Sequence, residues 1–133
     1  MTSTKLKGQN KELMCANDLK SCGYKILFKS CTVKRGPCWV GLDFADLFDV
    51  VAVNDVRLWR LISCKIHGRH THGYLAKDMC KIAAWAKQYG LSGMSFELWL
   101  WHEARHSGRG KKKHWERAHW EIKLITWVKP QEM

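Results

Sequence analysis

The chain has 133 residues, of which 23 are Lys or Arg and 12 are Asp or Glu, giving a formal charge of +11 and a pI near 9.6. With 46% hydrophobic residues and only two prolines, it is too apolar for a disordered chain and long enough to bury one core without staples, so residues 1–133 read as a single domain. The charge favours a polyanionic partner, nucleic acid before an anionic membrane surface, and no segment approaches the roughly 20 apolar residues of a membrane span.

Met1-Thr-Ser-Thr-Lys-Leu-Lys leads into a polar segment, not an apolar signal core, so a location in the cytosol of a cell or of a host is expected. Residues 9–22 then read as a helix, with Leu13, Ala16 and Leu19 at helical spacing and Gly23 as the stop. Glu12 lies one turn before Ala16, close to that stripe. Tyr24 to Ser30 alternates as a strand. Residues 32–43 read as a loop bent at Gly36-Pro37. Two apolar runs follow, Leu47 to Val53 and Leu58 to Ile66, separated by a turn at Asn54-Asp55-Val56-Arg57. Residues 67–73 form a polar loop with three histidines. A second helix steps through Leu75, Met79, Ile82, Ala86 and Tyr89, and Gly90 ends it. Ser95 to Trp101 is a strand with Phe96, Leu98 and Leu100 on one face and Trp99 and Trp101 on the other. A last strand alternates Trp120, Ile122 and Leu124. Between these two strands, residues 102–114 form a basic hairpin loop. A long helix joining two strands is a crossover, so the order gives an α/β fold with a central mixed sheet of about five strands flanked by helices.

The six cysteines include no Cys-x-x-Cys pair, which removes zinc-finger and redox spacing. They are expected to be small buried hydrophobes, with a Cys31–Cys38 disulfide across the Gly-Pro bend as the alternative. His67, His70 and His72 near Cys64 match no closed zinc set. The loop suits a phosphate better, with Arg69 as the donor fork. Arg105, Arg109, Lys111, Lys112 and Lys113 sit near Trp99, Trp101, Trp115 and Trp120 in sequence. Positive charge beside aromatic surface suits a nucleic-acid backbone and unpaired bases.

The most informative pairing is Asp49, on the first apolar run, with Ser63-Cys64-Lys65 fourteen positions on. A hairpin brings the carboxylate of one strand beside the lysine of the next. A carboxylate can hold a divalent cation, and a nearby lysine can orient or deprotonate a water. On so basic a chain, the natural substrate of such a pair is a phosphodiester. Asp43 and Asp46 compete with Asp49 for the cation, and one residue of strand register decides between them.

Lys7-Gly8, Glu12, Leu19 and Gly23-Tyr24, then Phe48-Asp49-Val-Val-Ala-Val and Leu61-Ile62-Ser63-Cys64-Lys65, resemble the PD-(D/E)XK nuclease superfamily in its archaeal Holliday-junction-resolvase branch. The resemblance covers roughly residues 7 to 127 and implies a restriction-endonuclease-like fold. It implies a Mg²⁺- or Mn²⁺-dependent DNA endonuclease, acting on branched or junction DNA as a homodimer. Asp49, Glu12 and the Cys64 carbonyl would hold the cation, and Lys65 would act on the water. The family's glutamate two residues before the lysine is here Ser63, which brings no charge and would at most bond the scissile phosphate or the attacking water. The alternative is a non-catalytic nucleic-acid-binding protein that kept the fold after losing that glutamate.

Overall fold

The computed structural model describes residues 3–45, 47–67, 72–107 and 114–130. Helix α1 (Ser3–Ser21) is followed by β1 (Lys25–Lys29), β2 (Cys31–Arg35), β3 (Cys38–Leu42), β4 (Val50–Val53) and β5 (Trp59–Ile66). Helix α2 (His72–Tyr89), β6 (Met94–His102), β7 (Arg105–Ser107), β8 (His114–Glu116) and β9 (His119–Trp127) complete the order. Five strands form one mixed sheet in the order β1-β4-β5-β6-β9. Only β5 and β6 run parallel, because only they are joined by a helix; the other neighbours are antiparallel. The α/β class and the five-strand mixed sheet are therefore as expected. Among the described residues no helix is long and apolar enough to cross a membrane.

The helices cover opposite faces. Cys15, Ala16 and Leu19 of α1 are buried, and Cys15 and Leu19 pack on Val50, Ala52, Ile62 and Trp99. Leu75, Ile82 and Ala86 of α2 pack on Phe48, Val51, Leu61, Phe96, Leu98 and Leu100. Alternation along β4, β5 and β6 deals these residues to the two faces, as the period of a strand requires. Trp85 anchors the α2 side, with its ring edge on Phe48 at 5.3 Å and its ring tilted against Phe96 at 5.8 Å. The N-terminal helix stripe differs from the expected one: Leu13 is 46% exposed, and the inward set is Cys15, Ala16 and Leu19. Tyr89 also faces outward, its ring tilted against that of Trp85.

The ends of α1 and α2 follow from glycine. Tyr24 N–H reaches Leu19 O and Gly23 N–H reaches Lys20 O, at 3.0 and 3.1 Å, a paired closure that needs the positive φ of Gly23. At Gly90 a side chain would press within 2.4 Å of the Ala86 carbonyl, so only glycine lets the chain leave α2 there. The turn between β4 and β5 is held by the Asn54 side chain, which accepts from Val56 N–H and Leu58 N–H.

Two further expectations change. Residues 32–43 are not a loop but the β2–β3 hairpin, with Gly36-Pro37 at its turn; the pairing of Val33 with Val40 marks a short two-stranded sheet apart from the main one. The cysteines are not generally buried. Cys15 is, and Cys64 is half-buried, but Cys22, Cys31, Cys38 and Cys80 are exposed, and all six are free. Cys31 opposes Leu42 and Cys38 opposes Arg35, so the hairpin register keeps the two thiols apart.

Strand β6 is buried along both faces, yet carries Glu97, which is 3% exposed. Arg60 of β5 meets it in a fork, Nε to Oε2 at 2.8 Å and Nη2 to Oε1 at 2.5 Å. Ser95 Oγ and the Trp99 indole N–H also donate to Glu97. These donors hold its carboxyl below the ordinary value despite burial. Arg60→Ala leaves this carboxylate buried without its cation and should lower stability by about 3 kcal/mol, measured by urea unfolding. Arg60→Met with Glu97→Leu should recover most of that loss.

Candidate active site

The C-terminal end of β5 lies beside the start of β4, and four elements bring polar groups there. Asp49 sits in the bend just before β4. Its backbone is held on both sides: its N–H donates to Ile62 O at 2.8 Å and its C=O accepts from Ser30 N–H at 2.6 Å. The side chain then points along the strand ends, where Oδ2 accepts the Cys64 N–H at 2.6 Å and Oδ1 accepts the Ser30 hydroxyl at 3.1 Å. The approach to Asp49 is a tight turn in which Phe44 and Phe48 exchange backbone hydrogen bonds and Ala45 takes φ 55°. That turn doubles the chain back, so Asp43 comes to the same place, 2.5 Å from the Ser30 hydroxyl.

A hydroxyl has one proton, and here it faces two carboxyl oxygens. The cluster is short of protons or of positive charge. Glu12 makes the shortage sharper. Counting three, four and seven residues on from Glu12 reaches Cys15, Ala16 and Leu19, so it lies on the buried stripe of α1, with its carboxyl near enough to Asp49 to feel its charge. Burial, the charge and hydrogen bond of Asp49 and the charge of Asp43 raise the Glu12 carboxyl from 4.5 to about 8, against the pull of Lys29. Burial raises Asp49 from 3.8 to about 6, with Asp43 adding to it and the Cys64 N–H, Lys65 and Ser30 opposing. Their mutual interaction makes the two titrate as a pair, with both carboxyls pushed up.

Lys65 lies close enough to Asp49 to favour its ionised form. Its ammonium also pairs with Asp78 of α2 at 3.5 Å. Ser63 shares the α2 side of β5 by alternation and is 1% exposed, sealed in the interior. Cys64 faces α1, where hydrogen bonding to Cys15 and burial push its thiol well up, so its side chain stays a thiol and is no anionic ligand. The structure brings Glu12 and Asp49 close to each other, with Lys65 near Asp49. What Cys64 contributes here is its N–H to Asp49.

Among the described residues, no group of three or more His, Cys, Asp or Glu is arranged to hold a metal. The carboxyl pair still fits a hard cation on its own chemistry. Mg²⁺ is commonly held by one or two carboxylates with water in its other positions. Glu12 and Asp49 would hold it, and their raised values are those of a desolvated, mutually repelling pair that a cation would relieve.

The residues that sequence reasoning missed here are Ser30, Lys29 and Asp78. Ser30 follows β1 and Asp78 lies on α2, so no local pattern marks them. Asp46, Arg69, His70, Arg109, Lys111, Lys112 and Lys113 lie outside the described residues. Arg105 lies on β7, which pairs with β8 as the two arms of the basic hairpin. His67 stacks on His102 at 4.4 Å, and His102 on His119 at 4.9 Å. Stacked rings do not turn their nitrogens to one point, so this ladder makes no zinc set. Trp99 and Trp101 are covered, each meeting Trp120 edge-on, with Lys11 of α1 over the Trp101 ring at 4.3 Å. They serve the core and are not a surface for bases.

No protein-family model matches the chain, and no curated protein matches it in sequence.

The raised pair has a measurable consequence. In the window from about 4.5 to about 8 the folded Glu12 keeps a proton that the unfolded chain releases, so stability falls as pH rises through it. Melting temperature in EDTA should decline across this window more steeply for the native chain than for Glu12→Gln. Added Mn²⁺ should oppose the decline at its upper end in the native chain only. Parallel pH profiles for the two proteins would remove Glu12 from the pair.

Proposed function

We propose that the chain is a divalent-cation-dependent nuclease that hydrolyses phosphodiesters in DNA, built on a restriction-endonuclease-like fold. The observation that carries this reading is the meeting of Glu12 from α1, Asp49 before β4 and Lys65 on β5, with the two carboxyls raised by burial and repulsion. Strongly perturbed groups converging from separate elements are a functional-site signature. The order of α1, the β4–β5 hairpin, the α2 crossover and β6 supports the fold assignment, as does the sequence resemblance.

A bound Mg²⁺ or Mn²⁺ would supply Lewis acidity at the phosphoryl oxygens. Everything else falls to the chain. Asp49, fixed by Cys64 N–H and Ser30, gives an anchor that needs no rearrangement. Glu12 would hold the cation beside Asp49, giving up its proton on doing so. The Lys65 ammonium orients the attacking water and meets the charge that builds on the phosphate. Ser63, sealed within the sheet, supports the strand and does not touch substrate. The basic hairpin, from Arg105 through Lys113, holds the backbone. Branched or junction DNA is the substrate the resemblance favours.

A second reading rests on one observation. Lys65 is paired with Asp78, and the position two before it is an uncharged buried serine. A chain that retains the fold and binds DNA without cutting it would show both features. Incubation with labelled duplex, single-stranded and four-way-junction DNA, and with RNA, in Mg²⁺, Mn²⁺ or EDTA separates the two. The nuclease reading requires cleavage that EDTA stops. Binding without cleavage on every substrate supports the second.

Under the nuclease reading, Asp49→Asn should abolish cleavage while leaving DNA affinity within a few-fold, because it removes a cation anchor and few backbone contacts. Lys65→Ala should lower the single-turnover rate by about 10² or more with melting temperature preserved. Wild-type rates in either variant would sink its assigned role.

Neutralising Lys111, Lys112 and Lys113 together should flatten the slope of log affinity against log salt by up to about 3 in magnitude, at roughly 0.9 per phosphate contact on duplex DNA. Unchanged affinity and slope would make the loop a solvated turn only.

A further inference from the structure

Strand β9 closes one side of the sheet, and its outer edge has no strand beside it among the described residues. Such an edge offers nine residues of alternating outward N–H and C=O groups. It also carries apolar side chains that the fold leaves uncovered. Ile122 is 50% and Leu124 61% exposed. Both lie on the α1 side of the sheet, in line with Trp120, since Trp120, Ile122 and Leu124 oppose Trp101, Trp99 and Glu97 of β6. The other face of β9 carries Glu121 and Lys123, which are 45% and 34% exposed and 3.8 Å apart.

We propose that β9 is the contact surface for a second copy of this chain, pairing antiparallel with its counterpart about a two-fold axis through Ile122. The axis must stand perpendicular to the sheet for two equivalent edges to pair antiparallel, and it must then pass through a residue, so the possible registers are few. A register centred on Glu121 opposes glutamate to glutamate, and one centred on Lys123 opposes lysine to lysine. A register centred on Glu121's other neighbour, Trp120, sets Arg117 against Lys123. The register centred on Ile122 sets Glu121 against the second copy's Lys123, twice by symmetry. On the opposite face it sets Ile122 against its counterpart and Trp120 against Leu124. Of these four registers only the one centred on Ile122 makes both charge and apolar area self-complementary, and this selects a second copy over an unrelated partner.

The result is one continuous ten-stranded sheet with both α1 helices on the same side. Cys64, Trp99 and Ile122 are in register across β5, β6 and β9. Each Asp49–Cys64 contact is then level with the axis, with the two β5 strands five strand spacings, about 24 Å, apart. The pairing itself does not depend on the nuclease reading.

Sedimentation velocity over a concentration series, on the full chain, tests it. The native protein should form a dimer, and Glu121→Lys should raise its dissociation constant about tenfold, as two attractive cross-strand pairs become repulsive. Adding Lys123→Glu to that variant should return the dissociation constant to near the native value. This rescue separates the pairing from the His102–Glu121 contact at 2.8 Å, which the double variant does not restore. Hydrogen exchange read in the same samples should show β9 amides protected as the dimer fills. A native monomer throughout, a dimer indifferent to Glu121→Lys, or a double variant no better than the single one overturns the proposal.

Discussion

A single hydrogen bond, from the Cys64 N–H to the Asp49 carboxylate, fixes how the centre of this sheet is assembled. With the Asp49 N–H on Ile62 O it ties the start of β4 to one place on β5, and the register Val50 to Ile62 follows. A slip of one residue would turn Val50 and Ala52 away from α1 and expose the apolar set on which that helix packs. The same bond takes one carboxylate lone pair and leaves others directed beyond the strand ends. A residue that sets register is thereby also the residue most exposed to the charge of its neighbours.

Those neighbours explain the electrostatics. Glu12 arrives because it stands on the buried stripe of its helix, and Asp43 because the Phe44–Phe48 turn folds back on itself. Neither Lys29 nor Lys65 balances three carboxyls, and Lys65 is divided between Asp49 and Asp78. The cluster keeps a proton where isolated carboxyls would be ionised. The opposite end of the sheet contrasts with it. There Glu97 is surrounded by donors from Arg60, Ser95 and Trp99 and is held ionised. The same sheet thus carries one carboxyl saturated with donors and a cluster that is under-supplied.

The tryptophans follow from how the α1 face is closed. Helix α1 reaches across β1, β4 and β5, and the rest of that face is filled by Trp99, Trp101 and Trp120 packed edge to face. Their area covers the part of that face that no helix reaches among the described residues. At Ile122 and Leu124 the cover runs out, and the exposed stripe of β9 begins.

The sequence by itself determined the elements with strong periodicity: α2, the β4–β5 pair about its Asn54 turn, β6 and β9, and the crossover that makes β5 and β6 parallel. It also determined that Asp49, just before β4, comes beside the strand that carries Lys65, because a hairpin with a short turn leaves little choice of register. It did not show the β2–β3 hairpin, whose short strands carry no clear alternation, nor the exposure of four cysteines, which only packing decides. The Glu12 position was half legible. Its spacing to Cys15, Ala16 and Leu19 puts it on one helix face, but which face is buried depends on the sheet it meets. Only the tertiary structure brought Ser30, Asp43 and Asp78 to the strand ends and enclosed Ser63. Contacts between elements distant in sequence are made by how helices seat on a sheet, and no local pattern records that.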